Sequence, residues 1–274
     1  MSKRTSNTVH AEWYDYPQYF DMLFRDETKY EVDFFKDAFK RFADHRVKRL
    51  FEPGCGSGRL IVAMAAKGYD ATGLDLSDAM LDYMRRKLRR RKLKAHCVKG
   101  DMASLGLDPL GDAGNVKPFD AAFCTYNTFR HLTSERDAVA HLNGIADMLV
   151  PGGLYILGMH LTPEEDYEAV VERFIIRSGG TKLTTTIQVP HTDLKKRLET
   201  LRVNLKAVQK SGKTIRIQSE FPLRLYTPTQ LRRLFTKLND RFELVESYDF
   251  SYDIDEPCEF DSDLMEGVFI LRRK

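Results

Sequence analysis

The sequence predicts an α/β protein in which a mostly parallel sheet carries helices on both of its faces. Apolar strand segments alternate with amphipathic helical segments between residues 47 and 158, and this alternation is typical of parallel sheets. The strand segments are apolar on both sides, which indicates that both faces of the sheet are buried. From about residue 173 to 225 apolar and polar residues alternate, which predicts an antiparallel β insertion after the fifth strand.

Seven segments of the chain are predicted to be strands of the main sheet. They are 47–51, 69–75, 94–98, 119–125, 154–158, 242–250 and 267–272. Prolines and glycines recur over 109–118, which predicts a loop before the fourth strand, and a turn is expected at 151–153 before the fifth. The strands therefore fall at both ends of the chain, on either side of the insertion.

The helices between these strands are predicted from apolar residues at helical spacing and from capping residues in front of them. A helix is expected over 28–43, where Thr28 and Glu31 fit a capping box. A second helix is expected over 60–66. The remaining helix starts are expected at Ser77, at Ser134 with Asp137, and at Thr227 with Pro228 and Gln230.

Composition limits the class of protein. The chain has 274 residues and a net charge of only +3, so its overall charge favours neither nucleic acid nor a membrane surface as a partner. It has no apolar run approaching the ~18 residues of a membrane helix and no apolar signal segment at its start. Its cysteines are scattered without C-x-x-C spacing, so we expect free thiols, a cytoplasmic location and no metal site. These cysteines are Cys55, Cys97, Cys124 and Cys258.

The N-terminal region is the most aromatic part of the chain. Residues 1–10 are polar and are expected to be a disordered tail, whereas six aromatic residues follow between 13 and 24. These aromatics are expected either to pack in the core or to form a lid over a ligand. The chain is accordingly divided into a tail and lid helix at 1–44, a ligand-binding core at 45–172, the β insertion at 173–225 and the C-terminal end of the core at 226–274.

A glycine-rich turn follows the first strand, with glycines at Gly54, Gly56 and Gly58. Such glycines allow a tight turn and a close approach of a ligand to the backbone, and the helix that follows presents free N–H groups. A dinucleotide fingerprint would need glycine where Arg59 stands, and no G-K-[ST] phosphate loop is present. Glu52 disfavours a diphosphate and favours a ligand with a cationic or hydroxyl-rich part.

Polar residues follow the next strands, at the edge of the sheet where ligands of parallel sheets bind. Asp75 lies 21 positions after Gly54, the spacing of an acid that accepts hydrogen bonds from ribose hydroxyls. Asp101 could accept one from an adenine amino group, with Leu76 and Met102 on either side of the ring. In chain order these strand ends predict an amino-acid pocket, a ribose acceptor and an adenine pocket.

Five motifs together resemble the class I S-adenosylmethionine (SAM)-dependent methyltransferases over about residues 45–160. They are E-P-G-C-G-S-G-R, G-L-D-L-S, G-D-M, F-D-A-A-F-C-T-Y-N-T-F-R-H-L and L-V-P-G-G-L-Y-I-L. The resemblance implies a Rossmann-like core with a seven-stranded sheet, SAM as cofactor and S-adenosylhomocysteine (SAH) as product. The cofactor-binding residues that it implies are Glu52, Gly54, Gly56, Gly58, Arg59, Asp75, Leu76, Asp101, Met102, Thr125 and Tyr126.

A narrower resemblance is to small-molecule N-methyltransferases, of the amino-sugar and glycine type. These share an aromatic N-terminal lid segment, an antiparallel insertion after the fifth strand and a histidine after the fourth. His131 of N-T-F-R-H-L matches that histidine, and the resemblance implies that it orients or deprotonates an amine. Tyr14 is expected to face the same cavity.

The sequence therefore favours a SAM-dependent methyltransferase for a small-molecule acceptor, with an amine as the preferred class and a monomer or homodimer as the assembly. T-Y-N-T stands where enzymes acting on nucleobase amino groups carry D/N-P-P-Y/F, so a nucleic acid substrate is not expected. Three alternatives remain. They are an RNA or protein methyltransferase that uses the basic helix at 85–92, a SAM-binding protein without transfer activity, and a nicotinamide-dependent oxidoreductase, which the glycine spacing disfavours.

Overall fold

The structure, a computed structural model, describes residues 8–10, 12–105, 117–163 and 171–274. Residues 1–7 of the expected tail and most of the expected loop at 109–118 lie outside the described residues. In the described part the α-helices are α1 (Pro17–Leu23), α2 (Thr28–Phe42), α3 (Arg59–Ala66), α4 (Asp78–Arg91), α5 (Glu135–Met148) and α6 (Pro228–Lys237). The strands are β1 (Thr8–His10), β2 (Arg49–Pro53), β3 (Asp70–Asp75), β4 (His96–Lys99), β5 (Phe119–Cys124), β6 (Leu149–His160), β7 (Val171–Ser178), β8 (Thr181–Asp193), β9 (Leu198–Gln209), β10 (Thr214–Arg224), β11 (Phe242–Tyr248) and β12 (Glu266–Arg273).

The main sheet has seven strands in the order β11-β12-β6-β5-β2-β3-β4. Strands β6, β5, β2, β3 and β4 are parallel, whereas β12 is antiparallel to β6 and β11 to β12. The predicted seven-stranded, mostly parallel sheet is confirmed. The strand order reverses between β2 and β5, so the carboxyl ends of these two strands form the crevice in which such sheets bind ligands.

Helices cover both faces of this sheet because its strands are apolar on both sides. On one face α5 and α6 pack through residues such as Leu142 and Leu231 against Tyr155 and Phe269. On the other face α2, α3 and α4 pack against β5 and β6. Burial of each large apolar side chain contributes about 1.5–3 kcal/mol, so the two cores fix the positions of the strand ends.

The predicted β insertion is confirmed and forms a second sheet in the order β1-β10-β9-β8-β7. Strands β7 to β10 are antiparallel hairpin neighbours. The expectation of a disordered tail over 1–10 is wrong for Thr8–His10, because these residues pair in parallel with Arg216–Gln218 of β10. The N-terminal segment thereby crosses from the second sheet to the main sheet.

Local details of two predicted boundaries differ in the structure. Glu27, not Thr28, is the N-cap residue of α2, and Thr28 Oγ1 donates to the Phe24 carbonyl at 3.4 Å. The predicted turn at 151–153 lies within β6. The caps at Ser77, at Ser134 and at Thr227 with Gln230 are present as predicted. Among the described residues no helix is long and apolar enough to cross a membrane.

Candidate active site

A cavity of about 730 Å³ lies beyond the carboxyl ends of β2, β3, β5 and β6, within the size range of ligand-binding pockets. The N-terminal segment and the second sheet form its other walls. Most of the predicted site residues lie in these walls. They are Tyr14, Glu52, Gly54, Gly56, Arg59, Asp75, Leu76, Met102, Thr125, Tyr126 and His131. Gly58 and Asp101 are not among the wall residues.

Two glycines of the loop allow close packing against different parts of the molecule. Gly54 has a φ of +67°, and a Cβ there would lie 2.4 Å from Thr128 Cγ2, so this glycine allows the loop to pack beside the end of β5. Gly58 has a φ of +66°, and a Cβ there would lie 2.2 Å from Met84 Sδ. Gly58 therefore allows α4 to pack against the loop, outside the cavity walls.

Asp75 binds the glycine loop directly. Its Oδ2 accepts a hydrogen bond from the Gly56 N–H at 2.7 Å and its Oδ1 accepts one from the Ser77 N–H at 2.8 Å. Burial raises the pKa of this carboxyl, although the backbone hydrogen bonds act in the opposite direction. A carboxylate has about four acceptor positions, so Asp75 retains capacity for ligand hydroxyls. The neighbouring Leu76 is 63% exposed.

Glu52 is the acid at the end of β2, and it is 7% exposed. Its Oε2 atom is buried without a hydrogen-bond partner among the described residues. Burial is the largest cause of a pKa well above the ordinary glutamate value. A buried polar atom without a partner is costly, and Glu52 is one of the cavity-wall residues, so a donor group of a bound ligand could satisfy its carboxyl group.

Arg59 is held by a buried glutamate that the sequence reasoning missed. It forms an ion pair with Glu31, whose other oxygen accepts a hydrogen bond from Thr125 Oγ1 at 2.6 Å. Its guanidinium lies 5.3 Å from the centroid of the Tyr126 ring. The predicted T-x-x-E capping box misassigned Glu31, because the residue faces the core instead of the start of α2. The sequence gives no other sign of this pair.

The turn after β4 contains the two residues predicted to bind adenine. Met102 lies in the cavity wall, but Asp101 is exposed and its Oδ1 accepts a hydrogen bond from the Ala103 N–H at 2.8 Å. His141 holds this turn through Nδ1, 2.8 Å from the Met102 carbonyl, and through Nε2, 2.8 Å from the Tyr155 hydroxyl. A carbonyl only accepts, so Nδ1 carries the proton and Nε2 accepts from Tyr155.

Tyr14 and His131 meet in the cavity, with the Tyr14 hydroxyl 3.0 Å from His131 Nε2. Burial, with a smaller contribution from Arg130, lowers the pKa of His131 to about 4, so the imidazole is neutral at pH 7. Burial also raises the pKa of Tyr14. The Phe221 ring of β10 stacks on His131 with centroids 5.2 Å apart. The second sheet therefore contributes directly to this part of the site.

A second histidine, His160 at the end of β6, also lines the cavity and was not predicted from the sequence. Asn127 accepts from the His160 N–H at 2.9 Å, and its amide nitrogen lies 2.8 Å from His160 Nδ1. His160 Nε2 lies 3.3 Å from a carboxylate oxygen of Glu266. Asn127 has a φ of +67°, an uncommon backbone conformation for a residue other than glycine. Asn127, His160 and Glu266 all line the cavity.

The basic run of α4 does not present all of its charges to solvent. Lys87 Nζ lies 2.5 Å from Asp21 Oδ1, and Arg85 binds Asp82 at 2.9 Å and the Cys97 carbonyl at 3.3 Å. The RNA or protein methyltransferase alternative stays a prediction. No group of three or more metal-ligating side chains capable of holding an ion was found in the described part of the chain.

Residues 51–153 match a family model described as a methyltransferase domain. This part of the chain is similar to methyltransferase domains. It spans β2 to the first half of β6 and contains the glycine loop, Asp75 and the Tyr126 turn. The predicted class I methyltransferase fold is confirmed by solved structures. DesVI of Streptomyces venezuelae superposes with a TM-score of 0.73 at 18% identity, covering 96% of this chain and 99% of that chain.

Curated relatives match over shorter lengths. Glycine N-methyltransferase of Rattus norvegicus is 33% identical over 41% of this chain and 40% of its own length. The dTDP-3-amino-3,6-dideoxy-alpha-D-glucopyranose N,N-dimethyltransferase of Streptomyces fradiae is 24% identical over 68% of each chain. The chain spans about half the length of the first curated relatives it matches.

Proposed function

We propose that this protein is a SAM-dependent methyltransferase that transfers a methyl group to a small-molecule amine. The single observation that carries the proposal is that Glu52, a residue of the cavity wall, has a buried Oε2 atom without a partner among the described residues. Glu52 lies within the stretch that matches the methyltransferase family model. A buried carboxyl oxygen requires a hydrogen-bond donor, and the ammonium group of SAM is such a donor.

The remaining wall residues fit the other parts of SAM. Gly54 and Gly56 place the backbone of the loop in the cavity wall beside the methionine part, and Asp75 retains acceptor capacity for the ribose hydroxyls. Met102 offers an apolar surface for adenine. We assign structural roles to Gly58 and Asp101. Gly58 allows α4 to pack against the loop, and Asp101 accepts a hydrogen bond within its own turn.

The charge of the cavity supports a cationic or neutral acceptor over an anionic one. Six carboxyl groups line it, in Glu27, Glu52, Asp75, Glu172, Glu199 and Glu266. The two arginines in the described walls, Arg59 and Arg130, form ion pairs with buried glutamates. An acidic cavity attracts positively charged ligands. Two relatives of this chain are named for glycine and amino-sugar N-methylation, which also supports an amine.

The chemistry requires alignment more than acid–base catalysis. SAM supplies an activated methyl group, so the protein must hold the acceptor nitrogen in line and exclude water. We assign His131 and Tyr14 to this task, because a Tyr14 hydroxyl that donates to the neutral His131 imidazole keeps its oxygen as an acceptor for an amine N–H. A pKa of about 4 makes His131 a weak base, so the proposal gives it orientation of the amine, with the proton lost to water.

Calorimetric titration with SAM and SAH tests the cofactor assignment on wild type, Asp75→Ala and the control Asp82→Ala. We expect both ligands to bind wild type and the control, and binding to Asp75→Ala to weaken roughly 10- to 100-fold, the value of a hydrogen bond to a charged group. SAH release from panels of amino acids and amino sugars then tests the acceptor. Binding of NADH without binding of SAM or SAH would contradict the proposal.

The two alternative functions of this site stay predictions. SAM binding with no methyl transfer to any amine would favour the binding-protein alternative, and salt-dependent binding of bulk RNA would favour the macromolecular one. A cytoplasmic location, expected from the scattered cysteines, and a monomer or homodimer also stay predictions. Light scattering of the purified protein distinguishes the two assemblies.

A further inference from the structure

Asp21 of α1 is a buried carboxylate that joins three parts of the molecule. It is 8% exposed. Its Oδ1 accepts a hydrogen bond from Ser57 Oγ of the glycine loop at 3.0 Å and lies 2.5 Å from Lys87 Nζ of α4. Its Oδ2 accepts from the Tyr83 hydroxyl of α4 at 3.2 Å. One side chain therefore connects the N-terminal segment, the glycine loop and the helix behind it.

These contacts are strong because water is largely excluded from them. Ser57 is fully buried, and the Lys87 side chain is 20% exposed. Removing one partner of a buried ion pair leaves an uncompensated charge, which costs far more than loss of an exposed pair. Opening this contact would also leave Ser57 Oγ without its partner in a buried position. The arrangement therefore favours a closed position of α1.

The segment that Asp21 holds forms one wall of the cavity. We call residues 12–24 the lid. Within it Trp13, Tyr14 and Phe20 line the cavity, and the Trp13 and Phe20 rings lie 5.0 Å apart. The Phe20 ring also approaches the glycine loop, with Cε1 3.5 Å from the position of a Cβ on Gly56. Two neighbouring lid residues therefore contact two neighbouring loop residues. Asp21 contacts Ser57, and Phe20 contacts Gly56.

We propose that Asp21 is a positioning residue that latches the lid onto the glycine loop and so controls exchange of the methyl donor. The latch consists of Asp21, Ser57, Tyr83 and Lys87. Because the loop forms the donor site and the lid carries Tyr14, the latch couples the donor half of the cavity to the amine half. The donor part of this inference rests on the proposed function, whereas closure of the lid does not.

The protein contains a single tryptophan, and it lies in the lid. Trp13 is 5% exposed, so quenching of its fluorescence by acrylamide reports opening of the lid without any ligand. We expect Asp21→Asn and Lys87→Met to raise the quenching constant roughly threefold while the far-UV circular dichroism stays unchanged. The matched control is Asp82→Asn, which should leave quenching unchanged. Asp82 also carries a carboxylate on α4, but this carboxylate is exposed and pairs with Arg85.

A second readout measures donor exchange by stopped-flow fluorescence with SAH. We expect SAH to dissociate about tenfold faster from Asp21→Asn and Lys87→Met than from wild type. If Asp21→Asn does not fold, Ser57→Ala and Lys87→Met, which leave the Asp21 carboxylate in place, decide the result by the same quenching assay. Folded variants whose Trp13 quenching equals that of wild type overturn the latch. Failure of wild type to bind SAH would instead count against the proposed function, and the quenching result would stand independently.

Discussion

At the scale of single residues, the site depends on pairs that are far apart in sequence. Tyr14 and His131 are 117 positions apart and share a 3.0 Å hydrogen bond. Glu31 and Arg59 pair across the start of α2 and α3. The Glu31–Arg59 pair is buried and the Tyr14–His131 pair is partly buried, so in each pair the two side chains hold one another in position. The sequence predicted Tyr14 and His131 from a resemblance, and it gave no sign of the Glu31 pair.

The Tyr14–His131 pair leads to a kinetic prediction for an identified amine acceptor. Tyr14→Phe and His131→Ala should each lower kcat by roughly 100-fold, the loss expected when a reacting group is misplaced by about 1 Å. The affinity for SAM, measured by calorimetry, should not change. Because the two side chains act together, the double variant should lose little more than either single variant.

The matched control for this prediction is Tyr16→Phe, the same chemical change in the same segment. Tyr16 stacks on Tyr19 with centroids 6.2 Å apart and is not one of the residues assigned to the cavity wall. Full turnover by His131→Ala, or a loss in Tyr16→Phe equal to that in Tyr14→Phe, would remove the pair from the mechanism.

At the scale of elements, the glycine loop is positioned by contacts on three sides. Asp75 after β3 binds its Gly56 N–H, Met84 of α4 packs on Gly58, and Asp21 of α1 binds Ser57. The spacing of the glycines predicted a ligand loop and its place between a strand and a helix. The spacing did not show that Gly54 and Gly56 line the cavity whereas Gly58 contacts α4. This difference depends on which helix packs behind the loop.

The packing of Gly58 leads to a stability prediction. Gly58→Ala should lower the free energy of unfolding by roughly 2–5 kcal/mol, since a left-handed alanine costs about 1–2 kcal/mol and an overpacked core costs about 1–3 kcal/mol more. Gly212→Ala is the control, because its φ is +82° and nothing lies within 4 Å of its Cβ position. Urea denaturation of both variants measures the difference, and equal losses would show that the Met84 contact does not matter.

At the scale of the whole molecule, the cavity exists because two sheets and the N-terminal segment close around one edge of the main sheet. The second sheet contributes Phe221 and Glu199, and the main sheet contributes the strand ends. This enclosure buries titratable groups. Burial lowers the pKa values of His131 and His141 to about 4 and also lowers that of His160.

The buried histidines predict how stability depends on pH. A histidine with a folded pKa of about 4 and an unfolded pKa of about 6.5 contributes its full stabilisation above pH 6.5, and this contribution is lost as the pH falls from 6.5 to 4. For His141 the loss by pH 5 is about 2 kcal/mol. His141→Gln should therefore flatten the fall in unfolding free energy between pH 7 and 5 relative to wild type.

The control for the pH prediction is His191→Gln, since His191 is exposed on β8. Burial raises the pKa of Glu52, which acts on stability in the opposite direction, so the comparison is between variants and not between pH values alone. If the unfolding free energy of His141→Gln falls with pH as steeply as that of wild type, burial of His141 is not the cause of the fall.

The sequence by itself determined the alternation of strands and helices, the glycine loop, Asp75 and the β insertion, because each depends on local spacing and periodicity. Only the tertiary structure decided which groups share the cavity. It brought Tyr14 to His131, placed Asp101 and Gly58 outside the walls, and assembled Asp21 with Ser57 and Lys87. Such contacts join residues tens of positions apart, and they form only when the sheet order and helix packing have fixed both partners.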